Sequence, residues 1–347
     1  MIVKWLDFSD LHFEYRNVNT DNIRENLIST IKEGALNADF LLLCGDFFYQ
    51  GKSDENIIKK CGDYIHELAS ASGCDKASIY MTPGNHDLER SDRRLNSLKY
   101  YTGMNYLNGK RPEDGHELDD MAYTELSGSQ NTAFSGYAKL VEEVTGQIFK
   151  GENQCIEKDG YRILNINTCV VAGSKYDEGN LKVYGAPLLN ECKKIKNDDC
   201  INVAFMHHGV EYFRKSEQKK FQQLMESYNI DVVFSGHSHE IGIKTYDHTE
   251  KRIQQFTCGG PLNDGYNKPS FYYCIYNSGS HQLNIILYAY NDELESWGFD
   301  QSERAFQHGG CSFILPRSKK RKKKKEKEQE KGKIEFNENY LKQFGIE

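Results

Sequence analysis

The sequence predicts an α/β fold, on three observations. Short apolar runs alternate with segments of helical spacing up to about residue 240. Most of those runs are apolar throughout, as strands buried on both faces are. The polar clusters able to do chemistry each fall just past the end of such a run.

The expected strands are Ile2–Phe8, Asp39–Leu43, Ser78–Thr82, Tyr161–Asn167, Asn202–Met206 and Asp231–Ser235. Between them, Asp21–Leu36, Asp54–Ser72, Phe134–Val144 and Lys215–Tyr228 carry helical spacing, with Asp21 the expected N-cap of the first and Glu25 a supporting charge. After Gly242 the rhythm changes. Ile243–Tyr246, Arg252–Thr257, Phe271–Tyr276 and Gln282–Tyr288 follow one another without helices, which predicts an antiparallel meander forming or completing a second sheet. The stretch from Leu88 to about Gly160 is long, polar and rich in Tyr, Asn and Gly, so 88–160 is expected to be an inserted lid or subdomain that selects substrate.

Composition sets the outer limits. The chain has 347 residues, 38% hydrophobic and 27% charged, with 22 Tyr and 18 Phe to bury, which is a foldable composition. No stretch approaches the roughly 18 consecutive apolar residues of a membrane span. The start of the chain lacks the basic region and apolar run of a signal peptide, so a cytoplasmic, membrane-free protein is the expectation. The ten cysteines contain no Cys-x-x-Cys pair, and several lie inside apolar runs, which predicts buried reduced thiols.

Charge is unevenly spread. Pro316–Lys333 holds eleven Lys/Arg against three Glu, a net of +8, which leaves −15 on the remainder of a chain whose total is −7. An acidic body is not the even positive surface of a duplex-DNA binder. The catalytic unit is therefore expected over 1–315, followed by a basic, solvated tail over 316–347. That tail offers contact with nucleic acid or another polyanion, and Ile334–Ile346 recovers enough apolar character to dock on the body or on a partner.

Five segments carry the chemistry: Asp10-Leu11-His12, Gly45-Asp46, Gly84-Asn85-His86-Asp87, His207-His208-Gly209 and Gly236-His237-Ser238-His239. Each follows an expected strand, and the carboxyl edge of an open α/β sheet is where ligands bind. Asp46 offers two oxygens able to bridge two cations, Asn85 a neutral carbonyl, and His207, His237 and His239 three imidazoles. Of the His207-His208 pair, one ring could ligate and the other pack. Mixed nitrogen and oxygen ligands suit Mn²⁺, Fe, Zn²⁺ or Ni²⁺, and the lack of thiolates argues against a structural zinc. Taken singly each segment is as often a plain turn; in this order, each at a strand end, they make one site.

These motifs resemble those of the calcineurin-like metallophosphoesterases, over roughly residues 3–290. The resemblance implies a four-layer α/β/β/α sandwich of two mixed sheets. It implies that Asp10, His12, Asp46 and His239 hold one divalent ion and that Asp46, Asn85, His207 and His237 hold a second, with Mn²⁺ the first choice. Two such cations clamp a phosphoryl group, and a water held between them supplies hydroxide near neutral pH. The resemblance also implies that the matching histidine, His86, protonates the leaving oxygen or stabilises the transition state. Asp87 is expected to orient and charge that ring. Arg90, Arg93 and Arg94 are within reach of substrate phosphate or lie on a helix surface. Many members carry a proline where this chain has Gly209.

The leading functional expectation is a phosphodiesterase acting on a nucleotide or nucleic acid, from the long insertion, the basic tail and the diesterase branches of the family. The alternative is a phosphomonoesterase acting on a phosphoprotein or metabolite. A non-catalytic binding scaffold would be expected to lack ligands, and this chain carries all seven.

Overall fold

The computed structural model describes residues 1–315 apart from 14–18, 50, 52, 90, 93, 95, 97, 99–125, 127–131, 152, 174–176, 184, 197, 248–251, 263–266, 302–305 and 307–309. The basic tail, its apolar end, Arg90 and Arg93 lie outside the described residues.

Two mixed sheets stack face to face. The first runs β12 (Ser296–Phe299), β11 (Gln282–Asn291), β10 (Ser270–Asn277), β1 (Ile2–Phe8), β2 (Phe40–Leu43), β3 (Ile79–Met81), with β13 (Cys311–Ile314) also pairing β11. The second runs β4 (Gln154–Lys158), β5 (Tyr161–Ile166), β6 (Ile201–Met206), β7 (Val232–Ser235), β9 (Arg252–Thr257), β8 (Gly242–Asp247). In the first, β1, β2 and β3 are parallel, while β10 runs antiparallel to β1. In the second, β5, β6, β7 and β9 are parallel, with β4 and β8 antiparallel at the edges.

The two-residue period of a strand divides the core. Val3 and Trp5 of β1, Phe40 and Leu42 of β2, Val203 and Phe205 of β6 and Phe234 of β7 pack between the sheets. Leu6, Phe8, Leu41, Leu43, Ala204 and Met206, one residue out of phase, join the cluster that includes the helices. Those helices are α1 (Thr20–Glu33), α2 (Glu55–Ser72), α3 (Ser135–Thr145), α4 (Gly185–Cys192) and α5 (Lys215–Ser227). The outcome is the expected four layers. In the α2 cap, the Asp54 carboxylate accepts from Ile57 N at 3.0 Å, and Gly73 closes the helix at φ 69°. No described helix is long and apolar enough to cross a membrane.

Several expectations need correcting. The α1 N-cap is Asn19, without a side-chain cap bond; Asp21 lies inside the first turn, where its charge meets the positive helix end instead. The runs after Gly242 split between sheets: β8 and β9 complete the second, whereas β10, β11 (Gln282–Asn291), β12 (Ser296–Phe299) and β13 (Cys311–Ile314) extend the first. Antiparallel alternation reports pairing but carries no label for the sheet joined.

Within 88–160, the portion from Ala133 onward is built into the layers. There α3 packs on α2, and β4 pairs with β5 from Gln154↔Asn165 to Lys158↔Tyr161. A lid would have to come from the part before Ala133, most of which is outside the described residues. All ten cysteines are free thiols, six of them buried. Cys44 donates to the Asp7 carboxylate at 3.2 Å and Cys258 does so at 3.5 Å, and burial pushes the Asp7 carboxyl well above its ordinary range.

Candidate metal centre

The five segments meet at one rim, each leaving the carboxyl end of a parallel strand: β1, β2 and β3 of one sheet, β6 and β7 of the other. The sheets are stitched beside it, where Asn165 Nδ2 donates to Met81 O at 2.7 Å and the Thr82 hydroxyl to Ile166 O at 3.2 Å. The loops are tight. Asp10, His12, Asp46, His237 and His239 all have left-handed φ, at 52°, 38°, 57°, 74° and 57°. Such a conformation costs an L-residue about 1–2 kcal/mol, and strain of this kind collects at functional sites. Glycine is needed where these loops touch. A Cβ on Gly84 would lie 2.1 Å from Asp46 Oδ1, and Gly45 has φ 85° with Gly84 N 2.7 Å from its Cβ position.

His12 and His207 are held alike. His12 Nδ1 bonds the Phe48 carbonyl at 3.1 Å, and His207 Nδ1 bonds the Cys44 carbonyl at 2.8 Å. A carbonyl only accepts, so each Nδ1 carries a proton and each Nε2 turns inward. His12 Nε2 then faces His239 Nε2 at 3.1 Å, Asp46 Oδ2 at 3.8 Å and Asp10 Oδ1 at 3.9 Å. His207 Nε2 faces Asn85 Oδ1 at 3.0 Å and Asp46 Oδ2 at 3.2 Å. His239 Nε2 is 3.4 Å from Asp10 Oδ1. These are electron-pair donors converging on two neighbouring points, an arrangement that calls for positive charge at each. Asp46 Oδ2 takes part in both.

Donor atoms of Asp10, His12 and His239 lie within 4.8 Å of one another, as do those of Asp10, Asp46 and His207 and of His207, His208 and His237. His237 Nδ1 is buried without a hydrogen-bond partner, a lone imidazole nitrogen that a cation would satisfy. Burial works to raise the Asp10 carboxyl, but the His239 and His207 rings bring it down to about 2. Burial works against a charged His207, yet the Asp46 and Asp10 carboxylates lift it to about 9. The residues present therefore fit a pair of divalent cations in donor chemistry and convergence.

His86 stands beside this cluster, its ring edge-on to His12 with centroids 4.9 Å apart, and its backbone N–H donates to Asp46 Oδ1 at 2.7 Å. Asp87, expected to orient His86, turns elsewhere. Its Oδ1 accepts from Phe47 N at 2.7 Å and Phe48 N at 3.0 Å, and its Oδ2 from Gly84 N at 2.8 Å and Asp46 N at 2.9 Å. Asp87 is a latch for the Asp46 loop. Burial and the Asp46 charge push its carboxyl up, while the backbone donors pull the other way.

Arg94 also departs from expectation. It is 3% exposed, and its guanidinium donates to the carbonyls of Leu126, Cys169, Val170 and Ala172, so it fastens backbone away from solvent. Of the adjacent histidines, His207 turns to the rim, while His208 packs against Thr168, whose hydroxyl lies 3.0 Å from Nδ1. Three supports escaped the sequence reading. Arg24 of α1 donates to Leu11 O at 2.6 Å and His12 O at 3.3 Å with its guanidinium 4.5 Å over the Phe13 ring. Tyr49 and Tyr212 flank the cluster, the latter edge-on to His237 at 4.5 Å. Arg24 gave no signal, being one cation on an amphipathic helix; Tyr49 lies only three residues past Asp46, in a loop already marked.

Comparison with known proteins bears on this geometry. The model of the family described as calcineurin-like phosphoesterase matches residues 8–240. A protein of Bacillus subtilis (strain 168), the uncharacterized metallophosphoesterase-like protein YydB, is 28% identical over 329 residues. The match covers 91% of this chain and 66% of that protein, so the chain spans just under two thirds of its relative's length. Among solved structures, Vps29 of Chaetomium thermophilum is similar at 11% identity and a TM-score of 0.37, over 92% of this chain and 99% of that one. GAP50, the anchor in the inner membrane complex of Plasmodium, is similar at 11% identity and a TM-score of 0.43, over 92% and 90%.

Proposed function

Since the chain belongs to the calcineurin-like phosphoesterase family, we propose that it is a two-metal phosphoric ester hydrolase acting on a phosphodiester, that of a nucleotide or nucleic acid. The observation that carries the metal-dependent part is the paired arrangement of His12 and His207. Each has Nδ1 tied to a backbone carbonyl and Nε2 turned toward Asp46 Oδ2. On this reading Asp10, His12, Asp46 and His239 hold one cation, and Asp46, Asn85, His207 and His237 hold the other. Such cations, when bound, neutralise charge on the phosphoryl oxygens and acidify water.

The protein's own groups do the rest. The carbonyls of Phe48 and Cys44 fix two imidazoles in the tautomer that ligates. Asp87 and Arg24 hold the backbone of the Asp46 and His12 loops. His86, beside His12 and outside both ligand sets, gives its proton to the leaving oxygen as the ester bond breaks.

Stripping the cations is expected to lower Tm by about 5 °C or more, because ligand binding offsets the strain of five left-handed residues and a site filled a hundredfold above Kd contributes about 2.7 kcal/mol. Thermal unfolding with chelator and then with added Mn²⁺ checks this, and an unchanged Tm would count against resident metal.

The diester preference rests on the basic tail, on the diesterase branches of the family and on the part of the 88–160 stretch that precedes Ala133. It is tested by turnover of a chromogenic phosphate diester and monoester by metal-stripped protein restored with Mn²⁺. Faster diester cleavage is the expected result. Preference for the monoester would assign the protein to the phosphatases and leave the tail a docking or solubility role.

A further inference from the structure

We propose that Tyr49 is the positioning residue for His86, holding its imidazole for proton transfer to the leaving oxygen; this rests on the role given to His86 above. Asp87 was the sequence's choice to orient His86, and both its oxygens are engaged by four backbone N–H groups. Two aromatic rings are in contact with the His86 ring. The Tyr49 ring stacks on it with planes 20° apart and centroids 5.8 Å apart, and the His12 ring meets it edge-on at 87° and 4.9 Å. Tyr49 also meets His12 edge-on, at 79° and 5.9 Å, so the three rings brace one another in a closed triangle.

The backbone ties the same parts together. Gly51 N donates to His86 O at 2.8 Å, and His86 N donates to Asp46 Oδ1 at 2.7 Å. Tyr49 thus belongs to a turn anchored on both sides of the residue it faces. Stacking restricts rotation of a half-buried ring without adding a charge beside the cations. A second carboxylate there would compete for metal, and an aromatic face does not. The ring face should matter and the hydroxyl should not.

The chemistry gives a selective readout. An alkoxide leaving group needs a proton as its bond to phosphorus breaks, whereas 4-nitrophenoxide leaves without one. In full-length, Mn²⁺-loaded protein, Tyr49→Ala is expected to lower kcat about tenfold on an alkyl ester and less than about twofold on the 4-nitrophenyl ester, as loss of one aromatic pair allows. KM and metal content should be unchanged, and Tyr49→Phe should restore the rate. His86→Ala should show the same selectivity more strongly. Equal losses on both esters, or failure of Tyr49→Phe to rescue, would overturn the proposal. If His86→Ala shows no selectivity, the role of His86 itself is wrong. A second measurement stands apart from turnover: in protein loaded with diamagnetic Zn²⁺, His86 ring-proton NMR shifts, assigned by their absence in His86→Ala, should move in Tyr49→Ala and stay in Tyr49→Phe. Unmoved shifts in Tyr49→Ala would end the proposal whatever the rates.

Discussion

Asp46→Asn is expected to lower turnover by at least about a thousandfold, roughly 4 kcal/mol of transition-state stabilisation, and to leave one cation or fewer per chain. The reason lies in how the two carboxylate oxygens divide their duties. Oδ1 accepts the His86 backbone N–H at 2.7 Å, a bond that only an oxygen can make. An asparagine keeping that bond must place its NH₂ where Oδ2 stood, between His207 Nε2 at 3.2 Å and His12 Nε2 at 3.8 Å. An anionic oxygen that faces both His12 and His207 would become a pair of donors facing cations. Flipping the amide restores that oxygen but sets NH₂ against the His86 N–H. Neither orientation serves both sides. Metal analysis after purification, with kcat/KM under Mn²⁺, checks the prediction; near-normal turnover with two metals bound would sink the shared-ligand scheme.

The sequence exposed this site because its ligands sit in a pattern with a physical cause. Parallel strands end at one edge, so residues as far apart as Asp10 and His239 are delivered to the same rim, and each loop announces itself by following an apolar run. The six principal strands and four of the helices were legible for the same reason, to within a few residues at their ends. Other features depend on directions that a linear pattern does not encode. Asp87 follows His86 in the chain, but both lie in a short 3₁₀ turn, Asn85–Asp87, where successive side chains point about 120° apart. Adjacency therefore suggested a pair that the backbone separates. The strand β4 is short and partly exposed, with no continuous apolar run to reveal it, and β12 is four residues ending on an exposed Phe299. The eight-residue α4 was not among the expected helices; its Pro187 lies near the helix start, where the missing N–H is harmless.

The same turn gives the second large effect. Asp87→Asn is expected to destabilise the fold by about 2–4 kcal/mol and to lose metal and activity together, although the substitution changes a single atom. Each oxygen of Asp87 accepts from two backbone N–H groups, Oδ1 from Phe47 and Phe48 and Oδ2 from Gly84 and Asp46. Whichever way an amide is turned, its NH₂ confronts two donors at 3.0 Å or less. Two buried N–H groups then lose their acceptor, each at a cost of about 1–3 kcal/mol. The donors belong to the loops that carry Asp46 and Asn85, so the damage falls on both ligand sets at once. An orienting role toward His86 predicts something different: Asp87→Asn would keep its Tm and its metal while the pH dependence of kcat shifts. Thermal unfolding, metal content and a pH–rate profile on the one variant separate the two accounts. Concerted loss of Tm and metal is the outcome that four backbone donors on one carboxylate require.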